Sequence, residues 1–385
     1  MLYVCERLER GIHYGYYIND TAFEIIKRLD GTCTYDEIVQ QLSNKYSEND
    51  KIVREKIQAF IETINRRYGL LIESVVTGQE SKSVSIKNVE YDYPVVASLE
   101  VTNNCNIKCR HCYGEYGDKN IVNMPLDLGY KLLEELEELG VKIIEFTGGD
   151  VTVYSDFARL LRKALSLKFS NIAVLTNGVA VSEELFQTIL ENKERIVVQI
   201  DLHSLNNEYY DWFTQTKGQL KKVKDNIKRF ADAGVRIKVV TIVTPNNVDE
   251  LVDIADWVYR HNVHMFGISA ALDMGRCKKE EKEKLIFIHE DGVTRYVENL
   301  KIINTGYPGL IHEVEKPSER NNCGAITANF VISPNGMIKI CAMDNLCYCN
   351  NSIGNVFEES VKDIFDRNSV FIQSFRELKA PNATA

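Results

Sequence analysis

The first 75 residues combine strand-like and helix-like apolar patterns. Apolar and polar residues alternate over 2–9 and 13–18, which predicts a β-hairpin. Three helical patterns follow: one capped by Asn19 or Asp20 and ended by Gly31, one with Thr34 and Glu37 as a capping box, and one over about 49–67. A short strand is expected at 68–72. These elements predict a small, winged-helix-like α+β domain over 1–75, followed by an unpatterned polar linker over 76–93.

From residue 94 to about 275, short apolar runs alternate with amphipathic stretches. The predicted strands are 95–102, 142–146, 172–176, 196–202, 237–243 and 264–269, with helices such as 127–139, 182–193 and 247–262 between them. Six β-α units predict a parallel sheet, either open or closed into a partial barrel. Functional groups on such a sheet gather at the carboxyl ends of the strands.

The last quarter of the chain changes character. Residues 276–322 carry no motif and are interpreted as a bridging region. A short hairpin turning at Pro334-Asn335-Gly336 and a helix near 360–365 then predict a small C-terminal domain over 323–375. Residues 376–385 are expected to be a disordered tail.

Composition narrows the class of protein. The 385 residues are 44% apolar and 26% charged, as in an ordinary globular protein, and the net charge of −9 argues against a nucleic-acid partner. The sequence contains neither a membrane-length apolar run nor a secretory leader, so a cytoplasmic location without membrane contact is expected. Because thiols stay reduced there, the ten cysteines point to metal ligation or catalysis before disulfides.

Three cysteines follow the first predicted barrel strand, in the spacing Cys105-x3-Cys109-x2-Cys112. A structural zinc site usually has four protein ligands. Three thiolates suit a 4Fe–4S cluster instead, in which the fourth iron is open to chelate the amino and carboxylate groups of S-adenosylmethionine (SAM). Electron transfer into the sulfonium would release a 5′-deoxyadenosyl radical. A zinc site or unrelated thiols remain the alternative. Tyr113, directly after the triplet, is placed to cover the adenine.

The second barrel strand ends in Thr147-Gly148-Gly149-Asp150. Two glycines let the backbone approach a ligand closely, and a carboxylate can pair with the amino group of SAM. By itself such a segment is more often a plain turn.

Together, CNIKCRHCY and FTGGD resemble the radical SAM superfamily, whose fold is a six-unit partial TIM barrel. The resemblance implies that Gly148, Gly149 and Asp150 hold the SAM amino group, that Thr176 and Asn177 contact the ribose, and that Asp201 is a further polar SAM contact. Relatives often carry an arginine after the fourth strand for the SAM carboxylate; Thr214 stands there, with Lys217 as a possible substitute. Arg276 matches an arginine common in peptide-modifying relatives, with a surface salt bridge as its alternative.

A second cysteine group comprises Cys323, Cys341, Cys347 and Cys349. The segment CGAITANFVISPNGMIKIC resembles the SPASM/twitch extensions of radical SAM enzymes, which bind auxiliary iron–sulfur clusters. The number of cysteines suits one auxiliary cluster, either 4Fe–4S or 2Fe–2S. A four-cysteine zinc site is the alternative.

The N-terminal segment INDTAFEIIKRLDGTCTYDEIVQQL resembles the small PqqD peptide chaperone of pyrroloquinoline quinone biosynthesis. That resemblance implies a recognition element for a ribosomally made precursor peptide, whose leader adds a strand to the hairpin edge. A DNA-binding winged helix is disfavoured by the acidic chain, and a domain serving only stability or dimerisation is the remaining alternative.

These expectations combine into one functional hypothesis: a radical SAM oxidoreductase that matures a peptide, similar to the thioether-forming enzymes of sactipeptide bacteriocin biosynthesis. Its electron donor would be a flavodoxin or ferredoxin. Carbon–carbon crosslinking is the nearest rival, followed by epimerisation with Cys277 returning a hydrogen atom. Radical chemistry on a small cofactor or haem precursor is a rival of another class.

Overall fold

The computed structural model describes residues 2–7, 12–17, 20–28, 33–68, 92–117, 120–280, 282–311, 324–341, 343 and 352–377. The predicted strand at 68–72 beyond its first residue, most of the predicted linker, and Cys323, Cys347 and Cys349 lie outside these residues. The chain divides into two compact units, of which the larger comprises Glu6–Tyr14 and Tyr91–Ala385.

The N-terminal segment contains the predicted hairpin and three helices. Strands β1 (Leu2–Arg7) and β2 (Ile12–Tyr17) pair in a two-stranded sheet, and helices α1 (Asp20–Arg28), α2 (Tyr35–Tyr46) and α3 (Asp50–Tyr68) follow. The predicted capping box is confirmed, since the Thr34 side chain accepts from the Glu37 amide. The helices enclose an apolar core, formed by Ile25, Ile38, Val39, Leu42, Val53, Ile57 and Ile61.

The larger unit is built, within the described residues, on one nine-stranded sheet. Its strands are β3 (Val96–Thr102), β4 (Ile143–Gly148), β5 (Asn171–Thr176), β6 (Ile196–Asp201), β7 (Arg236–Val243), β8 (Met265–Ala270), β9 (Asn329–Ile332), β10 (Met337–Lys339) and β11 (Ser352–Asn355). Strands β3 to β8 are parallel and lie in chain order, which confirms the six predicted β-α units.

Helices connect and cover these strands: α4 (Leu126–Glu138), α5 (Phe157–Ser166), α6 (Glu183–Glu191), α7 (Asn207–Thr214), α8 (Leu220–Asp232), α9 (Leu251–Arg260), α10 (Lys282–Leu285), α11 (Glu290–Gly306), α12 (Val361–Arg367) and α13 (Ser369–Glu377). Strand residues facing the helices are fully buried, such as Ile144, Phe146 and Val198. Alternate residues, such as Glu145 and Gln199, point to the opposite face and are half-buried. The outer face of the sheet is therefore apolar and fully buried, whereas the half-buried inner face carries polar as well as apolar residues.

The C-terminal hairpin extends the barrel sheet. Strand β9 pairs in parallel with β3, and β10 and β11 continue the sheet in antiparallel pairing. A buried ion pair accompanies this junction: Lys339 Nζ on β10 lies 2.6 Å from Glu100 Oε1 on β3, with the two side chains 2% and 3% exposed. The sequence predicted the hairpin, but its union with β3 is a feature that only the structure shows.

Among the residues that the structure describes, every helix is too short or too polar to cross a membrane.

Candidate functional site

The cysteine triplet lies on the loop that follows β3, at the carboxyl end of the parallel sheet. Cys109 is buried, while Cys105 and Cys112 are half-buried. Burial raises the pKa of Cys105 to about 12, with smaller contributions from the charges of Asp150 and Cys112. Burial followed by the charges of Cys112 and Cys105 raises the pKa of Cys109 well above its usual range. The three thiols are therefore close enough to repel one another as thiolates.

This donor set fits an iron–sulfur cluster. The buried thiols of Cys105 and Cys109 ionise poorly by themselves, so a cationic group nearby is needed for them to become thiolate ligands. In addition, His111 Nδ1 beside Cys109 is buried without a hydrogen-bond partner among the described residues. One ring nitrogen of His111, one of His203 and the Cys109 sulfur all lie within 4.8 Å of one another. A ring nitrogen without a partner at this place could donate a hydrogen bond to a bound group that carries sulfur atoms.

Arg276 holds the cysteine loop in place. It is buried, and its guanidinium donates from Nη1 to the Cys109 carbonyl and from Nη2 to the Tyr116 carbonyl, both at 2.8 Å. Its backbone amide donates to the Cys112 carbonyl at 2.9 Å. The alternative of a surface salt bridge is wrong, because the side chain lies inside the protein and contacts the Cys109 and Tyr116 carbonyls.

The end of helix α7 supports the other side of the loop. The carbonyls of Phe213 and Thr214 accept from the amides of Arg110 and Lys108, at 2.9 and 3.0 Å. The Thr214 hydroxyl is buried and donates to the Tyr210 carbonyl at 2.7 Å. Lys217 is exposed. A contact of either residue with a SAM carboxylate stays a prediction.

The double glycine packs directly against the cysteine loop. A Cβ on Gly148, whose φ is +128°, would meet the Thr102 carbonyl oxygen at 2.2 Å, and one on Gly149 would meet the Asn104 oxygen at 1.9 Å. Two hydrogen bonds fix this approach: the Gly149 amide donates to the Thr102 carbonyl and the Asp150 amide to the Asn104 carbonyl, both at 2.8 Å. These positions accept no larger residue unless the backbone moves.

The Asp150 carboxylate ties β4 to β5. It is buried and accepts from the Thr152 amide at 2.8 Å, the Thr176 hydroxyl at 2.9 Å and the Asn177 amide at 2.7 Å. Burial raises its pKa, and these hydrogen bonds oppose that effect. Asp150 thus organises the site through its protein partners, while its contact with the SAM amino group stays a prediction.

Asn177 reaches from β5 to the first cysteine. Its side-chain amide donates to Asn106 Oδ1 at 2.6 Å and lies 3.7 Å from Cys105 Sγ. At the end of β6, burial followed by the charge of Asp150 raises the pKa of Asp201 to about 7. The structure therefore gathers the predicted residues Gly148, Gly149, Asp150, Thr176, Asn177 and Asp201 around the cysteine loop.

Tyr113 lies near Cys112 of the triplet and near Cys341. Its ring packs edge-on against Tyr116, with centroids 5.9 Å apart. Burial, then the charges of Glu100, Cys112 and Cys341, raises its pKa. Cys341 itself is exposed, just beyond β10. Its predicted partners Cys323, Cys347 and Cys349 lie outside the described residues, so the auxiliary ligand set stays a prediction.

Sequence reasoning missed the buried polar residues behind the loop. The Tyr116 hydroxyl donates to Glu100 Oε1 at 2.7 Å, which joins the loop to the Glu100–Lys339 ion pair. His203 follows β6 and lies against His111 and Phe213. The sequence did contain one signal of the buried ion pair: a charged residue, Glu100 or Lys339, stands inside the apolar run of β3 and of β10.

Substituting lysine for Arg276 is expected to weaken retention of the bound cluster. Lysine keeps the charge but loses the planar fork that reaches two carbonyls at once. We expect iron and sulfide to be lost faster on dilution than from the native chain, as measured by the decay of visible absorbance. The matched control is Arg159→Lys, whose side chain is exposed and pairs with Asp156. Equal decay in both variants would contradict the proposed anchoring role.

Comparison with known proteins adds three domain matches. A radical SAM superfamily model matches residues 99–258, a model of coenzyme PQQ synthesis protein D matches 11–69, and an iron–sulfur cluster-binding (SPASM) domain model matches 323–384. These matches confirm the three resemblances drawn from the sequence.

Two curated relatives come from Bacillus subtilis. The antilisterial bacteriocin subtilosin biosynthesis protein AlbA is 27% identical over 371 residues, 94% of this chain and 79% of the relative. The sporulation killing factor maturation protein SkfB is 24% identical over 278 residues, 70% of this chain and 64% of the relative.

Solved structures agree on the fold. Streptococcus suis SuiB bound to S-adenosylmethionine has a TM-score of 0.63 at 14% identity, covering 99% of this chain and 90% of that one. Native anSMEcpe with bound AdoMet and Cp18Cys peptide has a TM-score of 0.58 at 15% identity, covering 74% of this chain and 84% of that one. The predicted α/β partial barrel is thereby confirmed.

Proposed function

We propose that this chain, a radical SAM enzyme with PqqD-like and SPASM domains, matures a ribosomally made precursor peptide by forming a thioether crosslink. The observation that carries the proposal is the joint presence, on one chain, of three converging cysteine thiols and a peptide-recognition domain. The bacteriocin and killing-factor maturation proteins among its relatives support a peptide substrate. A structural neighbour bound to its precursor peptide SuiA supports it further.

We propose one place for each cofactor on this chain. Cys105, Cys109 and Cys112 would hold a 4Fe–4S cluster, with SAM between the cysteine loop and the ends of β4, β5 and β6. When bound, cluster and SAM together supply a 5′-deoxyadenosyl radical that abstracts hydrogen from a carbon. The protein's part is placement: Arg276 and the end of α7 hold the loop, and Gly149 lets the backbone of β4 approach it.

Forming the proposed crosslink removes one hydrogen atom, one proton and one electron from the peptide. The peptide loses one hydrogen atom from a carbon, which becomes part of 5′-deoxyadenosine. A peptide cysteine loses its proton, and carbon–sulfur bond formation releases one electron. We propose that Cys323, Cys341, Cys347 and Cys349 would hold an auxiliary cluster, which would supply an acceptor for this electron. We further propose that a flavodoxin or ferredoxin in the cytoplasm supplies the electron for SAM cleavage. The net loss from the peptide is two hydrogen atoms per crosslink.

Epimerisation is the second candidate, but the structure favours it less. Epimerisation needs a thiol that returns a hydrogen atom to the substrate, and the sequence analysis named Cys277 for this role. Cys277 is buried against Phe213 and Leu285 in an apolar cluster, and burial raises its pKa to about 11. Such a side chain behaves as a packed apolar group.

The test uses the full chain with its cluster reconstituted anaerobically, SAM, dithionite and the peptide encoded by the short open reading frame beside its gene. We expect the peptide mass to fall by two hydrogens per crosslink, with cysteine no longer alkylated by iodoacetamide. The variant in which Cys105, Cys109 and Cys112 are alanine is the control and should leave the peptide unchanged. An unchanged mass with an inverted stereocentre would favour epimerisation instead.

Removing the leader from the peptide is expected to lower its rate of modification by about 100-fold, because tethering supplies the effective concentration of the core at the radical site. The measurement compares full-length and leaderless peptides at equal micromolar concentration with the same enzyme. Adding the free leader in trans should compete with the full-length peptide. Equal rates for the two peptides would contradict leader recognition by residues 1–75.

A further inference from the structure

Two histidine rings form the wall behind Cys109. His111 stacks face to face on Phe213, with centroids 4.8 Å apart and ring planes 8° apart. His203 meets His111 edge-on, with centroids 5.0 Å apart. One ring nitrogen of each histidine lies within 4.8 Å of the Cys109 sulfur. The rings are thus held in fixed orientations beside one proposed cluster ligand.

The tautomer of His203 follows from its backbone contact. The Ile242 amide donates to His203 Nδ1 at 3.2 Å, so this nitrogen carries a lone pair. An imidazole ring with a lone pair on one nitrogen is neutral. A neutral imidazole with a lone pair on Nδ1 carries its hydrogen on Nε2. His203 therefore has one N–H group left to donate.

His111 is the second potential donor. Its buried Nδ1 makes no hydrogen bond to any residue that the structure describes. A buried ring nitrogen without a partner costs free energy unless a bound group completes it. The sulfur atoms of a cluster on Cys109 would do so.

We propose that His203 Nε2–H and His111 Nδ1–H donate hydrogen bonds to sulfur atoms of a cluster bound at Cys109 and thereby raise the reduction potential of this SAM-binding cluster. Both are positioning residues, and the inference rests on the proposed cluster at the cysteine triplet. Reduction adds negative charge to the cluster sulfurs, so a donor there stabilises the reduced state more than the oxidised state. The histidine pair makes the first electron transfer more favourable.

Two substitutions at His203 separate its nitrogens. In His203→Asn the side-chain oxygen can replace Nδ1 and keep the Ile242 contact, but the Nε2 donor is lost. In His203→Gln the terminal amide nitrogen reaches the place of Nε2 and keeps a donor. His111→Phe retains the stacking on Phe213 and removes the second donor.

The experiment is a redox titration of the reconstituted full chain, with the reduced cluster quantified by electron paramagnetic resonance. At one fixed potential, losing a hydrogen bond to a charged sulfur should lower the ratio of reduced to oxidised cluster by about tenfold. For a one-electron couple a tenfold ratio corresponds to 59 mV. We expect this shift to more negative potential in His203→Asn and in His111→Phe, and a value near native in His203→Gln.

Tyr209→Phe is the matched control. Tyr209 stacks on the same Phe213, with centroids 5.5 Å apart, but its hydroxyl bonds to Thr244 Oγ1 at 2.8 Å. Its substitution should leave the potential unchanged. Native potentials in both His203→Asn and His111→Phe would overturn the inference, as would equal shifts in the two His203 variants. If the native chain bound no cluster at all, the proposed function would fall and the inference with it.

Discussion

Replacing Lys339 with methionine is expected to lower the free energy of unfolding of the larger unit by about 3–5 kcal/mol, the usual cost of removing one partner of a buried ion pair. The Glu100 carboxylate would be left inside the protein with the Tyr116 hydroxyl as its remaining contact at this place. The pair also joins β10 to β3, so its loss loosens the attachment of the C-terminal hairpin. Urea denaturation measures the effect, because both tryptophans, Trp212 and Trp257, lie in the larger unit.

The controls separate burial from charge. Lys362→Met removes a lysine of the same length that pairs with Asp366 at the surface, where its side chain is 58% exposed. That substitution should cost less than about 1 kcal/mol. The double variant Glu100→Met with Lys339→Met removes both charges and should recover most of the lost stability. Equal losses for Lys339→Met and Lys362→Met would contradict a stabilising role for burial of the pair.

Substituting alanine for Gly149 is expected to lower SAM cleavage by about 100-fold or more, because small misplacements of reacting groups carry penalties of that size. The added Cβ would lie 1.9 Å from the Asn104 carbonyl oxygen, which belongs to the backbone of the cysteine loop. A backbone oxygen cannot rotate away as a side chain can, so the loop or the end of β4 must shift. The amide contacts from Gly149 and Asp150 to that loop would then lengthen.

The measurement for Gly149→Ala is 5′-deoxyadenosine formed per minute, together with the iron content of the protein. Gly306→Ala is the matched control, because a Cβ there meets nothing within 4 Å. Gly306 ends helix α11, so alanine should leave SAM cleavage unchanged. Native rates of SAM cleavage in Gly149→Ala would show that the cysteine loop does not need this close approach.

Local patterns in the sequence were sufficient for the elements and for the centre of the site. Alternation and helical spacing depend on neighbours a few residues apart, so the six barrel strands, the capping box at Thr34 and the turn at Asn335 were predictable. The triplet of cysteines and the double glycine are also local motifs. Their meeting follows from parallel strands, whose carboxyl ends share one edge.

The contacts that tune and secure the site were decided by the tertiary structure. Arg276 reaches Cys109 across 167 positions of the chain, and Lys339 reaches Glu100 across 239. His203 lies beside His111 because β6 ends near the cysteine loop, and no spacing within either segment records that. Periodicity reports which face of an element is buried, whereas the partner of a buried charge or ring depends on how distant elements pack. The sequence therefore determined the chemistry of this enzyme, and the packing of the chain decided which side chains support it.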